Sequence, residues 1–253
     1  MFRAIILAAG TSLLLSGAAF AADAAPSAAI KAAVADSHRP AKDTENDAAR
    51  KPAEMLRFAG VKPGSIVVDM MPGSGYFTRV FAKAVGKSGH VYAYQPTETD
   101  KFYKGKPAPI NAVADDPAYG NITVIHKPIN DFAIPQKADV IWTSQNYHDL
   151  HDDFMGPADI AKVNKAVFDA LKPGGVFVVL DHAAKAGTGL ADTDTLHRID
   201  PAVVKKEVEA AGFKFAGEDN ALRNPKDDHT LKVFDPKIRH HTDQFIYKFQ
   251  KPE

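Results

Sequence analysis

Apolar and polar positions after residue 60 alternate between short runs of β-branched and aromatic residues and longer stretches with helical spacing. Short apolar runs bounded by turn residues are typical of buried parallel strands. The predicted strands are Ile66–Val68, His90–Tyr94, Ile122–Ile125, Ala138–Thr143, Val176–Leu180, Phe213–Gly217 and Gln244–Phe249. The predicted helices are 43–59, 76–85, 160–171 and 201–211. This alternation predicts an α/β domain built on a doubly wound parallel sheet.

The last two predicted strands differ from the others because no full helix separates them. We therefore expect a reversed strand pair at the end of the sheet. The residues between them, 219–241, show no regular pattern, and long irregular stretches are usually functional or disordered.

The N-terminus predicts a signal peptide over residues 1–21. Arg3 supplies the positive charge, an apolar run follows from Ala4 to Leu15, and Ala19-Phe20-Ala21 offers small residues for cleavage. The run is short for a spanning helix, so an uncleaved membrane anchor is the alternative. We expect a periplasmic or secreted protein with no stable membrane insertion after signal removal.

Length and composition fit one α/β domain with additional segments. The chain has 253 residues, of which 22–42 predict a linker or a loose helix and 43–253 the domain. Lysine plus arginine and aspartate plus glutamate are equal at 31 each, which gives no electrostatic attraction to nucleic acid. The absence of cysteine excludes a disulfide framework without settling the compartment.

A glycine-containing turn carries the sharpest chemical signal. Over Val67–Thr78 a strand leads into a turn with Gly73 and Gly75, and a helix begins directly afterwards. Glycine lets the backbone approach a ligand closely, and the free N–H groups of the helix then face that ligand.

These residues resemble motif I of the class I S-adenosylmethionine (SAM)-dependent methyltransferases, in which an acid, here Asp69, and glycines bracket the methionine part of SAM. The Lys172–Gly175 turn is similar to the turn of that family before its fifth strand. Exported predicted methyltransferases of bacteria look closer still. The motifs shared with them lie at Pro72–Thr78, Asp181–Ala183, Leu196–Asp200 and Asp227–Thr230.

The resemblance implies a Rossmann-like, seven-stranded class I methyltransferase fold, SAM as cofactor, and methyl transfer to an unidentified small-molecule nucleophile. The residues that it implies for cofactor binding are Asp69, Gly73, Gly75, Gln95, Asp131 and Asn146. Gln95 stands where an acid usually holds the ribose hydroxyls, and an amide can hydrogen-bond a diol only as a neutral group. Met71 stands where the motif usually has its first glycine. For Asp131, the alternative to adenine contact is a solvated loop acid.

Catalytic candidates follow the fourth and fifth predicted strands. Ligands in open α/β sheets bind beyond the carboxyl ends of the strands, so His148 and His182 are expected to face the crevice as general bases. Tyr147 is expected to stack on a planar substrate or to close over the methyl donor. The alternatives are a capping role for His148 and a buried structural role for His182. His197 and Arg198 could reach the substrate from above the sheet.

Histidines and carboxylates also cluster in the sequence. His148 and His151 with Asp149, Asp152 and Asp153 have the residue types that hold zinc, iron or manganese. A charged, solvated loop is the preferred interpretation, and we predict no metal site.

A second function remains open. SAM is a cytosolic metabolite, so an exported domain could be a non-catalytic ligand-binding protein on a methyltransferase fold, and Met71 and Gln95 favour that alternative.

Overall fold

The computed structural model describes residues 25–253. The predicted signal peptide, residues 1–21, lies outside the described residues. The helices are α1 (Ala28–Val34), α2 (Ala41–Thr44), α3 (Asp47–Arg50), α4 (Pro52–Ala59), α5 (Tyr76–Val85), α6 (Pro109–Ala114), α7 (Ile160–Ala170), α8 (Thr193–Leu196) and α9 (Pro201–Ala210). The strands are β1 (Ile66–Met70), β2 (His90–Pro96), β3 (Ile122–Lys127), β4 (Ala138–Ser144), β5 (Leu171–His182), β6 (Lys214–Asp219) and β7 (Gln244–Gln250).

The strands form one seven-stranded sheet in the order β3-β2-β1-β4-β5-β7-β6. Strands β1 to β5 pair in parallel, and β7 pairs antiparallel with both β5 and β6. The predicted strands and the reversed terminal pair are therefore confirmed. Because β1 lies between β2 and β4, the winding reverses there, and a crevice opens beyond the carboxyl ends of β1 and β4.

Each face of the sheet is covered by an apolar layer. On one face, Trp142 of β4 packs against Phe77 and Phe81 of α5, with ring centroids 4.8 and 5.8 Å apart. On the other, Phe177 of β5 meets Phe213, whose centroid lies 5.9 Å away. These fully or almost fully buried rings fix the sheet between its helices, which holds the strand ends in place.

The N-terminal segment differs from its prediction in two ways. Helix α1 buries Ile30 and Ala33 in the layer that contains α5, so the domain begins before residue 43 and the segment 22–42 is not only a linker. The helix predicted over 43–59 is divided, because Lys51 adopts a left-handed φ of 44° directly before Pro52. The interruption lets α3 turn toward the carboxyl edge of the sheet, where Arg50 reaches Gln145 after β4.

Residues between β6 and β7 contain no helix or strand in the described chain, as the sequence predicted. They are nonetheless fixed by buried carboxylates. Asp227 accepts a hydrogen bond from the Asp243 backbone N–H at 2.7 Å, and Asp243 accepts one from the Asn224 backbone N–H at 2.8 Å. Among residues 25–253, no helix has the length and apolar character needed to cross a membrane.

Candidate active site

The turn between β1 and α5 has the backbone geometry that its glycines predict. Gly73 and Gly75 have φ angles of 58° and 81°, in the left-handed region that favours glycine. A Cβ atom on Gly75 would lie 3.0 Å from both Ile110 and Val113, whereas one on Gly73 would meet no atom within 4 Å. Gly75 is therefore needed for packing, and Gly73 leaves open space next to the turn.

Met71 takes the same left-handed conformation, with a φ of 58°, although it is not glycine. Such a conformation costs a side-chain-bearing residue about 1–2 kcal/mol. The backbone of Met71 is held at both ends. Its N–H donates to the Tyr94 carbonyl at 2.9 Å, and its carbonyl accepts from Asn146 Nδ2 at 2.8 Å. Asn146, which also accepts from the Thr143 hydroxyl, thus positions the turn from the end of β4.

Asp69, the acid of the turn, is buried at the end of β1. Its Oδ2 accepts a hydrogen bond from the Thr78 hydroxyl at 2.5 Å. Burial raises the pKa of Asp69 to about 7, against the opposing effects of Thr78 and the Arg50 guanidinium. An ionised carboxylate at this depth is poorly compensated, so a cationic group entering the crevice would stabilise it.

Arg50 of α3 was missed by sequence reasoning. Its guanidinium carbon lies 4.4 Å from the Tyr76 ring centroid and 5.2 Å from that of Phe77, and its Nη2 donates to Gln145 Oε1 at 3.0 Å. These contacts bring α3 onto the first turn of α5 beside Asp69. Since the contact to Gln145 joins distant parts of the chain, no local pattern could have revealed it.

Gln95 and Asp131, both proposed to bind the cofactor, have different surroundings. Gln95 is 2% exposed at the end of β2, where its Nε2 donates to the Thr99 hydroxyl and its Oε1 has no hydrogen-bond partner among the described residues. A buried acceptor of this kind is costly unless a donor reaches it. The Asp131 side chain is 64% exposed and lies 3.7 Å from Lys162 Nζ, so the structure gives it the surroundings of a solvated loop acid.

His148 and Asp181 form a buried pair beyond β4 and β5. Asp181 Oδ1 lies 2.9 Å from His148 Nδ1, and its Oδ2 accepts from the His148 backbone N–H at 2.9 Å. Burial alone would lower the pKa of His148, but Asp181 and then Asp149 outweigh it and raise the value to about 10. Both ring nitrogens face carboxylates, Nδ1 toward Asp181 at 2.9 Å and Nε2 toward Asp149 at 3.2 Å, and this arrangement favours a protonated ring over a free general base.

His182 lies beside this pair, with its ring centroid 6.4 Å from that of His148. Its Nδ1 is 2.8 Å from the Thr242 hydroxyl. Burial lowers the pKa of His182 to about 3, with Asp181 opposing and nearby cations adding to the effect. His182 is therefore neutral at physiological pH, but it is too weak a base to remove a proton from an ordinary alcohol.

Tyr147 does not have the predicted position. Its ring is fully buried in the layer formed by α7 and α9. Its hydroxyl donates to Glu207 at 3.0 Å and accepts from Asn164 at 2.8 Å. No face of the ring is available to a substrate or to the methyl donor, so the predicted stacking role is corrected to a structural one.

Arg198 is also structural, against the prediction that it reaches a substrate. Its fully buried side chain lies 2.9 Å from Asp227 and donates to the Ala183 carbonyl at 3.0 Å. This pair joins the end of β5 to the irregular stretch before β7. The motifs at Asp181–Ala183, Leu196–Asp200 and Asp227–Thr230 thus meet in space, and the buried Arg198–Asp227 ion pair is what joins them.

Two adjoining cavities lie at the carboxyl edge of the sheet. The smaller has a volume of about 160 Å³ and is lined by Asn46, Ala49, Arg50, Gln145, His240 and Gln244. The larger, about 750 Å³, shares four of these residues and extends toward the stretch before β7. Gln145 follows β4, and Gln244 pairs with His182 of β5, so both cavities belong to the region where ligands of doubly wound sheets bind.

The seven-stranded order and the reversed strand pair define the class I SAM-dependent methyltransferase fold. The structure resembles a SAM-dependent methyltransferase from Aquifex aeolicus, with a TM-score of 0.53 and 18% identity over 84% of this chain and 98% of that chain. It also resembles the glycopeptide N-methyltransferase MtfA in complex with SAM, with a TM-score of 0.54 and 15% identity over 80% of this chain and 87% of that chain. At these identities the likeness shows the fold.

Sequence comparison also finds a methyltransferase, over a shorter part of the chain. The chain is 28% identical over 129 residues to the ubiquinone/menaquinone biosynthesis C-methyltransferase UbiE of Hydrogenovibrio crunogenus, which is 50% of this chain. The match spans 45% of that curated relative, less than half of its length. No protein-family model matches the chain.

Proposed function

We propose that the protein is a SAM-dependent methyltransferase that acts on a small-molecule nucleophile. One observation carries the proposal: an open glycine turn at the end of β1 stands beside a buried, partnerless acceptor, Gln95 Oε1, at the end of β2. The fold and the methyltransferase relatives support it, and they do not favour a non-catalytic binding protein.

The residues fit the donor. Gln95 Oε1 would accept a hydrogen bond from a ribose hydroxyl, and the open side of Gly73 would admit the backbone-contacting part of the ligand. Arg50 would hold a carboxylate, and Asp69 a positive charge. SAM supplies an activated methyl group on its sulfonium. The protein then has to bind, orient and exclude water, since in-line transfer requires the attacking atom about 3 Å from the methyl carbon.

The larger cavity is the proposed acceptor site. Its volume of about 750 Å³ lies within the range of small-molecule sites. Lys51, Arg223 and Lys226 line it with two histidines, against Glu45 and the Asp243 carboxylate that lies 3.0 Å from Arg223. This predominantly basic lining favours an anionic acceptor. Because the carboxylates around His148 favour its protonated ring, and burial makes His182 a weak base, we propose an acceptor that arrives with a lone pair already free.

Export is part of the proposal. The N-terminal pattern supports a mature protein that begins near Ala22 and is located in the periplasm or outside the cell. N-terminal sequencing of protein from cell fractions tests this. Intact Met1 on soluble cytoplasmic protein would contradict it.

Transfer is tested with methyl-labelled SAM and panels of anionic thiols, amines and phenols, followed by detection of S-adenosylhomocysteine. We expect turnover with one of these acceptors. Gln95→Leu should reduce that turnover by weakening SAM affinity about five- to tenfold, which corresponds to the loss of one hydrogen bond. Gln136→Leu, next to the amino end of β4, is the matched control. Equal SAM affinity in both variants would remove Gln95 from the site.

A further inference from the structure

A group of potential metal ligands stands at the carboxyl edge, apart from the glycine turn. His148 Nε2 lies 3.2 Å from Asp149 Oδ1 and 3.3 Å from His197 Nδ1, and the latter two atoms are 3.9 Å apart. Two ligands of a tetrahedral zinc ion, each about 2.0–2.1 Å from the metal, are themselves about 3.3 Å apart. The three atoms are thus spaced as ligands of a single ion would be.

A carboxylate lies behind His148, as is usual for metal-binding histidines. Asp181 is fully buried and faces His148 Nδ1 at 2.9 Å. It is itself held by the backbone N–H groups of His148 and His182, at 2.9 and 2.7 Å. A carboxylate on one ring nitrogen fixes the ring and directs the other nitrogen to a metal ion.

Asp152 supplies an independent observation. Its side chain is 2% exposed, and neither carboxylate oxygen has a hydrogen-bond partner among the described residues. The Thr193 hydroxyl, which donates to the Leu190 carbonyl at 3.3 Å, is the neutral group that interacts with Asp152. Asp152 directly follows the turn His148–His151, and its backbone N–H donates to the Asp149 carbonyl at 3.1 Å, so this buried carboxylate stands beside the ligand group. A buried carboxylate without a partner is costly, and a cation at the group would offset that cost.

The charges of the neighbourhood also call for a cation. Within residues 25–253, the ion pairs of Asp149 and Asp181 are with histidines alone, and Asp152 forms none. A divalent ion would balance these carboxylates.

We propose that His148, Asp149 and His197 bind a divalent transition-metal ion, with Asp152 as the adjacent carboxylate. Imidazole and carboxylate without sulfur suit zinc, manganese or iron(II) over softer ions. The side chains of Asp149 and His197 are about one-fifth exposed, at 22% and 21%, so water can complete the coordination. The second histidine is therefore His197 and not His151, whose ring lies 3.2 Å from Glu207.

The test uses purified protein without a histidine tag, stripped with chelator and titrated with Zn²⁺ and separately with Mn²⁺ by calorimetry. We expect one equivalent to bind and the melting temperature to rise. Cobalt(II) should give the visible absorption of an ion held by nitrogen and oxygen ligands. His197→Gln and Asp149→Asn should each weaken binding at least tenfold. Asp181→Asn, behind the ligand, should weaken it by about 10–100-fold.

The matched control is His126→Gln, which removes another histidine–aspartate pair, 2.8 Å apart and about half-exposed, from the far part of the surface. Its zinc affinity should equal that of the unmodified protein. The proposal is overturned if the unmodified protein binds no ion, or if the His197 and His126 variants bind equally. Circular dichroism of each variant separates loss of the site from loss of the fold.

Discussion

Replacing Asp69 by asparagine should stabilise the ligand-free protein above neutral pH. Asp69 is 3% exposed, and burial raises the pKa of its carboxyl to about 7. A rise of roughly 3 above the ordinary aspartate value corresponds to about 4 kcal/mol of unfavourable free energy for the ionised form. Asparagine keeps an oxygen that can accept from the Thr78 hydroxyl and carries no charge.

The sign follows from proton binding. The folded protein holds the Asp69 proton more tightly than the unfolded chain, so this group contributes most to stability below about pH 4. That contribution falls by about 1.4 kcal/mol per pH unit from about pH 4 and is fully lost once the pH has risen through 7. The unfolding free energy of Asp69→Asn minus that of the unmodified protein should therefore grow by about 4 kcal/mol between pH 4 and pH 8.

Urea denaturation of both proteins at several pH values measures this difference. Asp131→Asn is the control, because that carboxyl is exposed and its removal should give no comparable pH dependence. A difference that stays constant from pH 4 to pH 8 would refute the burial argument. The same substitution should weaken SAM binding at pH 8, since the ionised carboxylate is the form that attracts a cation. Stability gained and binding lost in one variant would mark Asp69 as a functional carboxylate.

Three further substitutions separate packing from function. Gly73→Val should abolish SAM binding in a protein that remains folded by circular dichroism, because its side chain would enter the open space beside the turn; unchanged affinity would place the donor elsewhere. Gly75→Ala should instead lower the melting temperature, since its Cβ would press on Ile110 and Val113; a stability equal to that of the unmodified protein would contradict this. Tyr147→Phe should leave turnover unchanged and cost about 1–3 kcal/mol, the value of leaving buried hydrogen-bond partners unsatisfied. A large loss of turnover at unchanged stability would restore a catalytic role for that hydroxyl.

Local patterns predicted the sheet and the glycine turn, because each depends on a few consecutive residues. Runs of β-branched and aromatic residues identified the strands, and Gly73 and Gly75 identified the turn by its conformational demand. Side-chain direction after β4 could not be obtained in this way. Gln145 takes a left-handed φ of 62°, which turns the following residues, so Tyr147 points into the helical layer and His148 toward Asp181.

Contacts between distant segments were the other part that the sequence could not show. Arg50 reaches Gln145, Arg198 pairs with Asp227, and His148 meets His197. The sequence had marked His148, His197 and Arg198 as candidates for the site, but it could not show which residues they contact. These pairs form because the folded sheet brings the ends of β4, β5 and α3 close together, and the local sequence does not show this.

SAM binding beyond the carboxyl ends of β1 and β2, beside the glycine turn and Gln95, is tested most directly by calorimetric titration of the purified protein with SAM and S-adenosylhomocysteine. We expect saturable one-to-one binding of both ligands, lost in Gly73→Val and retained in Gly60→Val. Gly60 is a suitable control because it has a similar left-handed φ, 75°, and open surroundings, but it lies before β1 at the opposite edge. Absence of binding by the unmodified folded protein, or equal binding by both valine variants, would show that SAM does not bind at the glycine turn.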